Sequence, residues 1–167
     1  MDFSRAFVAG VIGGLVISIV LFLARTGGLT ELNIEIVLGS LVTQVINRLS
    51  WGTGFLMHLV ISGLIAVLYA FGFEYLTQRA SWRIGVGFAV AHVIIAGLVM
   101  GALGTMHPLM VPPPPPPPEG QLLTPGVFAV NFGAVTAAAF IVLHLIYGSI
   151  VGAMYRVTHL RLVHAKA

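Results

Sequence analysis

The 167-residue chain is 58% hydrophobic and only 8% charged, with eight Lys or Arg against five Asp or Glu, where a typical soluble domain carries about 25% charged residues. Such a chain cannot cover a core with polar surface, and a mean hydropathy of +1.03 with long apolar runs makes it a membrane protein. It has no cysteine, which excludes disulfides, iron–sulfur clusters, thiolate zinc sites and cysteine nucleophiles, and no dense basic patch that would serve nucleic acid.

The first apolar run, residues 6–24, is longer than the roughly 7–15-residue apolar region of a signal peptide. Phe22 and Leu23 are too bulky for the small residues of a cleavage site. The run reads as a retained helix over about residues 7–24, bracketed by Arg5 and Arg25. In residues 32–49, Ile34, Leu38, Leu41, Val45 and Leu49 share one helical face, while Asn33, Ser40, Gln44, Asn47 and Arg48 lie mostly on the other. That pattern predicts an amphipathic helix in the membrane interface or packed over the bundle, with a short fifth crossing as the rival reading. The second spanning helix is expected over residues 53–73, flanked by Trp51 and Tyr75 as in an aromatic belt. The third is expected over residues 83–105.

Residues 107–125 form a loop containing seven consecutive prolines, Pro112 to Pro118. Without backbone donors this run cannot be α-helical. It predicts a polyproline II rod of about 20 Å at ~3.1 Å per residue, serving as a stiff spacer or as a docking surface for a partner. The fourth spanning helix is expected over residues 126–155. At ~1.5 Å per residue it would exceed a ~30 Å hydrocarbon layer and so tilt or protrude. The fold class is therefore all-α: a polytopic membrane protein, one membrane domain over residues 1–167, with four transmembrane helices plus an interfacial amphipathic helix.

With the amino terminus inside, Arg5, Arg79, Arg83, Arg156, Arg161 and Lys166 fall on the cytoplasmic side, and only Arg25 and Arg48 fall outside. This positive-inside bias predicts a multi-pass inner-membrane protein with both termini cytoplasmic.

Three pairs of glycines stand four residues apart: Gly10 and Gly14, Gly97 and Gly101, Gly148 and Gly152. Each pair occupies one helix face and allows close helix packing, within the bundle or between subunits. His92 and His144 fall at similar depth, about 13 and 16 Å from the inner edge by helical rise. Three readings compete for them: interhelical hydrogen bonding, paired axial ligation of haem b, and a proton relay. No carboxylate is expected at membrane depth, because Glu74 reads as a headgroup-level charge beside Arg79. On the outer side, Met57-His58 and Met106-His107, with Met110, offer thioether and imidazole ligands suited to copper or zinc; methionine as apolar filling and His107 as a helix terminator are the plainer readings. Asn131, Thr136 and Ser149 are expected to bond to neighbouring helices. His159 and His164 sit in a polar tail with Arg161 and Lys166. No nucleophile–base set, phosphate-binding loop or carboxylate pair appears.

The stretch His144-Leu145-Ile146-Tyr147-Gly148, with Gly152 four residues on, resembles the last helix of small bacterial four-helix membrane proteins. The resemblance implies four helices and no catalytic residue. The leading functional expectation is a non-catalytic membrane scaffold or accessory subunit, contacting lipid and other membrane subunits or a second copy of itself. A haem- or copper-binding protein and a proton-coupled transporter or channel are the alternatives.

Overall fold

The computed structural model describes residues 1–114 and 116–158. Helix α1 (Phe3–Thr26) is followed by α2 (Ile34–Thr43), α3 (Arg48–Phe71), α4 (Trp82–Met106) and α5 (Ala134–Met154). Helix α3 runs on as a π-helical turn, Gly72–Thr77. Four helices are long and apolar enough to cross a membrane: α1, α3 with its π turn, α4 and α5. The protein is an all-α polytopic membrane protein. Ten-residue α2 spans about 15 Å at 1.5 Å per residue, half of what a crossing needs.

The expected 32–49 helix is broken by local signals. Gln44 closes α2 in the left-handed region at φ 55°, its amide bonded to the Ser40 carbonyl. Asn47 then caps α3, its Oδ1 accepting the Leu49 and Ser50 amides at 2.9 and 3.2 Å. The α3 helix therefore starts at Arg48, five residues before the expected position. The fourth span starts later than expected. Phe128 and Ala129 take positive φ, 54° and 60°, inside a short 3-10 segment, Val127–Phe132. Helix α5 begins only at Ala134, and its 21 residues cover about 31 Å, a direct crossing without the expected overhang.

The chain forms two compact units. Among the described residues, the first comprises Met1–Val16, Leu59–His92 and residues 144–158; the second comprises Ile17–His58 and Val93–Leu143.

In the first unit, segments of α1, α3, α4 and α5 approach to backbone contact. A Cβ on Gly10 would lie 2.3 Å from the Ser62 carbonyl oxygen, and one on Gly14 2.4 Å from Ser62 Oγ. Gly148 and Gly152 meet Gly85 of α4, where a Cβ would fall 1.9 Å from the Gly148 oxygen. Ala66, Ala70, Ala89 and Phe73 are fully buried among these contacts.

In the second unit, α2 lies against the first turns of α3. A Cβ on Gly39 would lie 1.7 Å from the Ser50 carbonyl oxygen, and one on Gly54 1.7 Å from that of Glu35. The inward side of α2 is Glu35, Val37, Gly39 and Ser40, while Val42, Val45 and Leu49 are exposed. Ser40, expected on the polar face, is turned into the protein, while Ile34, Leu38 and Leu41 are half-buried, so α2 packs over the bundle with its polar centre inward. Gly97 and Gly101 receive Phe128 and Val127 of the folded-back segment rather than another helix. Phe128 and Phe132 join Leu32, Met100, Ala129 and Phe140 in this unit's core.

The proline run does not stand off as a free rod. Strand β1 (Met110–Val111) pairs in parallel with β2 (Leu122–Leu123), which ties both ends of the run together. Pro113, Pro114, Pro116 and Pro117 face Asn33, Ile36 and Val37 of α2 and its cap across a cleft of about 370 Å³.

Replacing Gly39 by Ala is expected to destabilise the protein by about 2–3 kcal/mol or to prevent folding, because the new methyl meets a backbone carbonyl that cannot turn aside. Gly52→Ala in α3, where a Cβ meets nothing within 4 Å, is expected to be neutral or to stabilise by up to about 1 kcal/mol. Thermal unfolding in one detergent compares the two variants, and equal midpoints would refute the packing argument.

Candidate functional site

The sequence places Tyr69 and Phe73 one turn apart on α3, Phe88 and His92 one turn apart on α4, and His144 and Tyr147 one turn apart on α5. In the first unit these faces converge on an aromatic cluster. The Tyr69 hydroxyl and His92 Nδ1 are hydrogen-bonded at 3.2 Å. The His92 and His144 rings meet edge to face, with centroids 4.9 Å apart and planes at 80°. Tyr147 closes the group, 5.5 Å from His92 and 5.9 Å from Tyr69. Its hydroxyl donates to the Ser62 carbonyl, and Gly13 leaves the room for its ring, since a Cβ there would lie 2.6 Å from Cδ2.

The structure brings His92 and His144 together with their rings in direct contact. Axial ligation needs the two imidazoles on opposite sides of a planar macrocycle. Here the rings touch directly, with Tyr69 and Tyr147 packed against His92, and no slot separates them.

The expected outer metal set is also turned to other uses. His58 Nδ1 is hydrogen-bonded to Ser18 Oγ at 2.9 Å. His107 is buried, and its Nδ1 accepts the Leu109 amide at 3.2 Å. Its Nε2–H therefore points at the Val37 carbonyl and Ser40 Oγ, both at 3.1 Å. With the Nδ1 lone pair committed and Nε2 donating, His107 has no lone pair to offer a metal. Met106 is 71% exposed, whereas Met110 is buried in β1. Among the described residues, no group of three or more His, Cys, Asp or Glu is placed to hold a metal ion. His159 and His164 lie outside the described residues.

Two carboxylates, Glu74 and Glu35, are the most buried charged groups among the described residues. Glu74 was expected at headgroup level beside Arg79. It lies in the π turn beside residues that flank α1 and α5, is 1% exposed, and its Oε1 accepts the Tyr155 hydroxyl, the Thr158 amide and the Thr158 hydroxyl, each at 2.8 Å. Tyr155 in turn accepts the Asp2 amide at 3.2 Å. In the second unit Glu35, also 1% exposed, faces Arg25 Nη1 at 3.3 Å, and the same nitrogen donates to the Leu32 carbonyl at 3.2 Å.

The helix-bonding residues divide. Thr136 donates to Thr30 at 2.7 Å, outside its own helix. Asn131 bonds to Thr124 within the folded-back segment, and Ser149 only to Ile146 of its own helix. The closest backbone approaches are at Gly39, Gly54 and Gly85, outside the three glycine pairs spaced four apart. Their signal was present once serine and alanine count as small: Ser50 precedes Gly54 by four residues, and Gly85 precedes Ala89 by four. No known family model, curated protein or solved structure matches the chain significantly.

Burial pushes the Tyr155 phenol up from 10.0 to about 12, and its hydrogen bond to Glu74 adds to the rise. A folded-state value above the unfolded one contributes stability that is complete below about pH 10 and is lost as pH climbs through about 12. Tyr155→Phe is expected to cost about 1–3 kcal/mol at neutral pH, as for a hydrogen bond to a carboxylate. The gap to the wild type should shrink between pH 10 and 12. Unfolding midpoints at stepped pH measure it, and a constant gap would rule the bond out as the source.

Proposed function

We propose that the chain is a non-catalytic scaffold or accessory subunit of a membrane complex, seated in the inner membrane with both termini cytoplasmic. The observation that carries this reading is the proline arm: a run tied at both ends by β1 and β2, with Pro112, Pro113, Pro114, Pro116 and Pro118 exposed. Polyproline II segments are recognised by aromatic-lined grooves because they bind without first being ordered. An arm closed at its base has still less freedom to lose. The orientation rests on the positive-inside excess of Arg5, Arg79, Arg83 and Arg156 over Arg25 and Arg48. The reading gains support from the engagement of the chain's interior polar groups with one another: His58 with Ser18, His92 with Tyr69, His107 with Ser40, and Glu74 with Tyr155. The partner is a membrane subunit carrying an aromatic groove on the side of the arm.

One observation favours a second reading, a proton relay. The Tyr69–His92 hydrogen bond and the His92–His144 contact place exchangeable groups side by side within the spans.

In native membranes solubilised mildly, the wild-type chain is expected to migrate in a complex well above its own mass. Replacing Pro113, Pro114, Pro116 and Pro117 by serine should release it to the size of the free chain with an unchanged unfolding midpoint. A wild type that migrates alone refutes the scaffold reading. For the relay, proton flux into liposomes should fall about a hundredfold or more in His92→Phe, as for the loss of a positioned acid–base group. Flux that is the same with and without His92 removes this reading.

A further inference from the structure

Within the first unit, a cleft of about 630 Å³ opens between the beginning of α1 and the end of α5. Arg5 and Arg156 stand on it, with Ser4, Val8, Ala153 and Met154 completing the walls and Asp2 at the edge. Its polarity is graded along the helices. The arginines and the Ser4 hydroxyl sit at the helix ends. Val8 lies about 6 Å further into α1 than Ser4 at 1.5 Å per residue, on the same face. Val8 and Met154 are 52% and 38% exposed, so apolar surface adjoins the charged mouth and, at Val8, extends along α1.

The charges are arranged for an anion. Asp2 is turned to the helix, its Oδ1 accepting the Arg5 amide at 2.9 Å and its Oδ2 lying 3.7 Å from Arg5 Nε. That contact engages Nε and leaves the two terminal nitrogens of Arg5 without an ion-pair partner among the described residues. Among the described residues no carboxylate stands within ion-pair distance of Arg156. Two exposed guanidiniums and one helix-bound carboxylate line the mouth, while Glu74, linked to the Asp2 amide through Tyr155, is buried and does not line it, so the accessible face of the cleft is positive. A forked donor matches a phosphate's paired oxygens.

We propose that this cleft binds an anionic phospholipid of the leaflet at the amino end of α1, the phosphate between Arg5 and Arg156 and an acyl chain along Val8 and Met154. The apolar surface selects a lipid over a free phosphate. The net positive mouth selects an anionic headgroup over phosphatidylcholine, whose trimethylammonium group would be held beside the guanidiniums. The site is independent of the proline arm and of which side of the membrane carries the amino terminus.

The test uses the full chain in nanodiscs of equimolar phosphatidylglycerol and phosphatidylcholine, ejected into a mass spectrometer with bound lipid retained. The wild type is expected to keep one phosphatidylglycerol in preference to phosphatidylcholine by about tenfold or more, as two arginines near an anionic headgroup would give. Arg5→Gln with Arg156→Gln should abolish the preference, while Arg79→Gln with Arg83→Gln, which removes equal charge elsewhere, should leave it intact. Circular dichroism of both variants should match the wild type, since all four arginines are at the surface or nearly so. Equal retention of the two lipids by the wild type, or loss of preference in both double variants, overturns the proposal. Displacement of the lipid by millimolar inorganic phosphate also overturns it, since the cleft would then be a free-phosphate site.

Discussion

Hydrocarbon offers no hydrogen-bond partner, so a polar group carried into it must be satisfied by the chain itself. The protein interior at the end of α1 makes the same demand, as Arg25 and Glu35 show. The guanidinium sits at the end of α1, reaches the Leu32 carbonyl and faces the Glu35 carboxylate in the first turn of α2. Glu35 Oε2 has no hydrogen bond in the structure, so the attraction holding it is ionic. Breaking a buried pair of this kind by removing one partner costs about 3–5 kcal/mol, because the survivor is left charged in a poor solvent. The connection from α1 to α2, and with it the seat of α2 on α3, depends on that pairing. Glu74 meets the same demand with three donors gathered onto one oxygen, which ties the residues after α5 to the π turn after α3.

The same solvent explains where the volume lies. Apolar side chains gain nothing from leaving lipid for one another, so helix association relies on close backbone approach. Leu, Val and Ile accordingly face outward along the spans, while Gly, Ala and Ser occupy the contacts. Where a large side chain does enter, a glycine opposite makes room for it: Gly13 for Tyr147, Gly63 for Phe7, Gly72 for Phe88 and Gly97 for Phe128.

Four spans and a short extra helix were legible because length and hydropathy alone decide them. The inward turn of α2 was not, since its pattern of Ile34, Leu38 and Leu41 against Ser40 fits either water or protein on the polar side. Capping signals at Asn47 and the turn at Gln44 were readable locally but were masked by an unbroken helical period. The start of α5 was hidden more deeply, because Phe128 and Ala129 in left-handed conformations carry no sequence signature of a break. In the site, counting helical rise put His92 and His144 at one level, but the contact between their rings depends on rotation about each helix axis. The burial of Glu74 depends on Tyr155 and Thr158, 81 and 84 residues away, and no local pattern reports such a distance.

The short β pairing beneath the proline arm has a consequence for how the protein behaves among its own copies. A parallel ladder of two residues presents open edges, and such edges invite further strands to add. Here β1 runs directly into residues that have no amide hydrogen to donate. The ladder cannot lengthen in that direction, and an incoming strand finds no regular row of donors along the arm. The sequence that stiffens the arm therefore also protects it: a tightly tied, exposed loop on a very hydrophobic protein is kept from seeding cross-β association during synthesis and insertion.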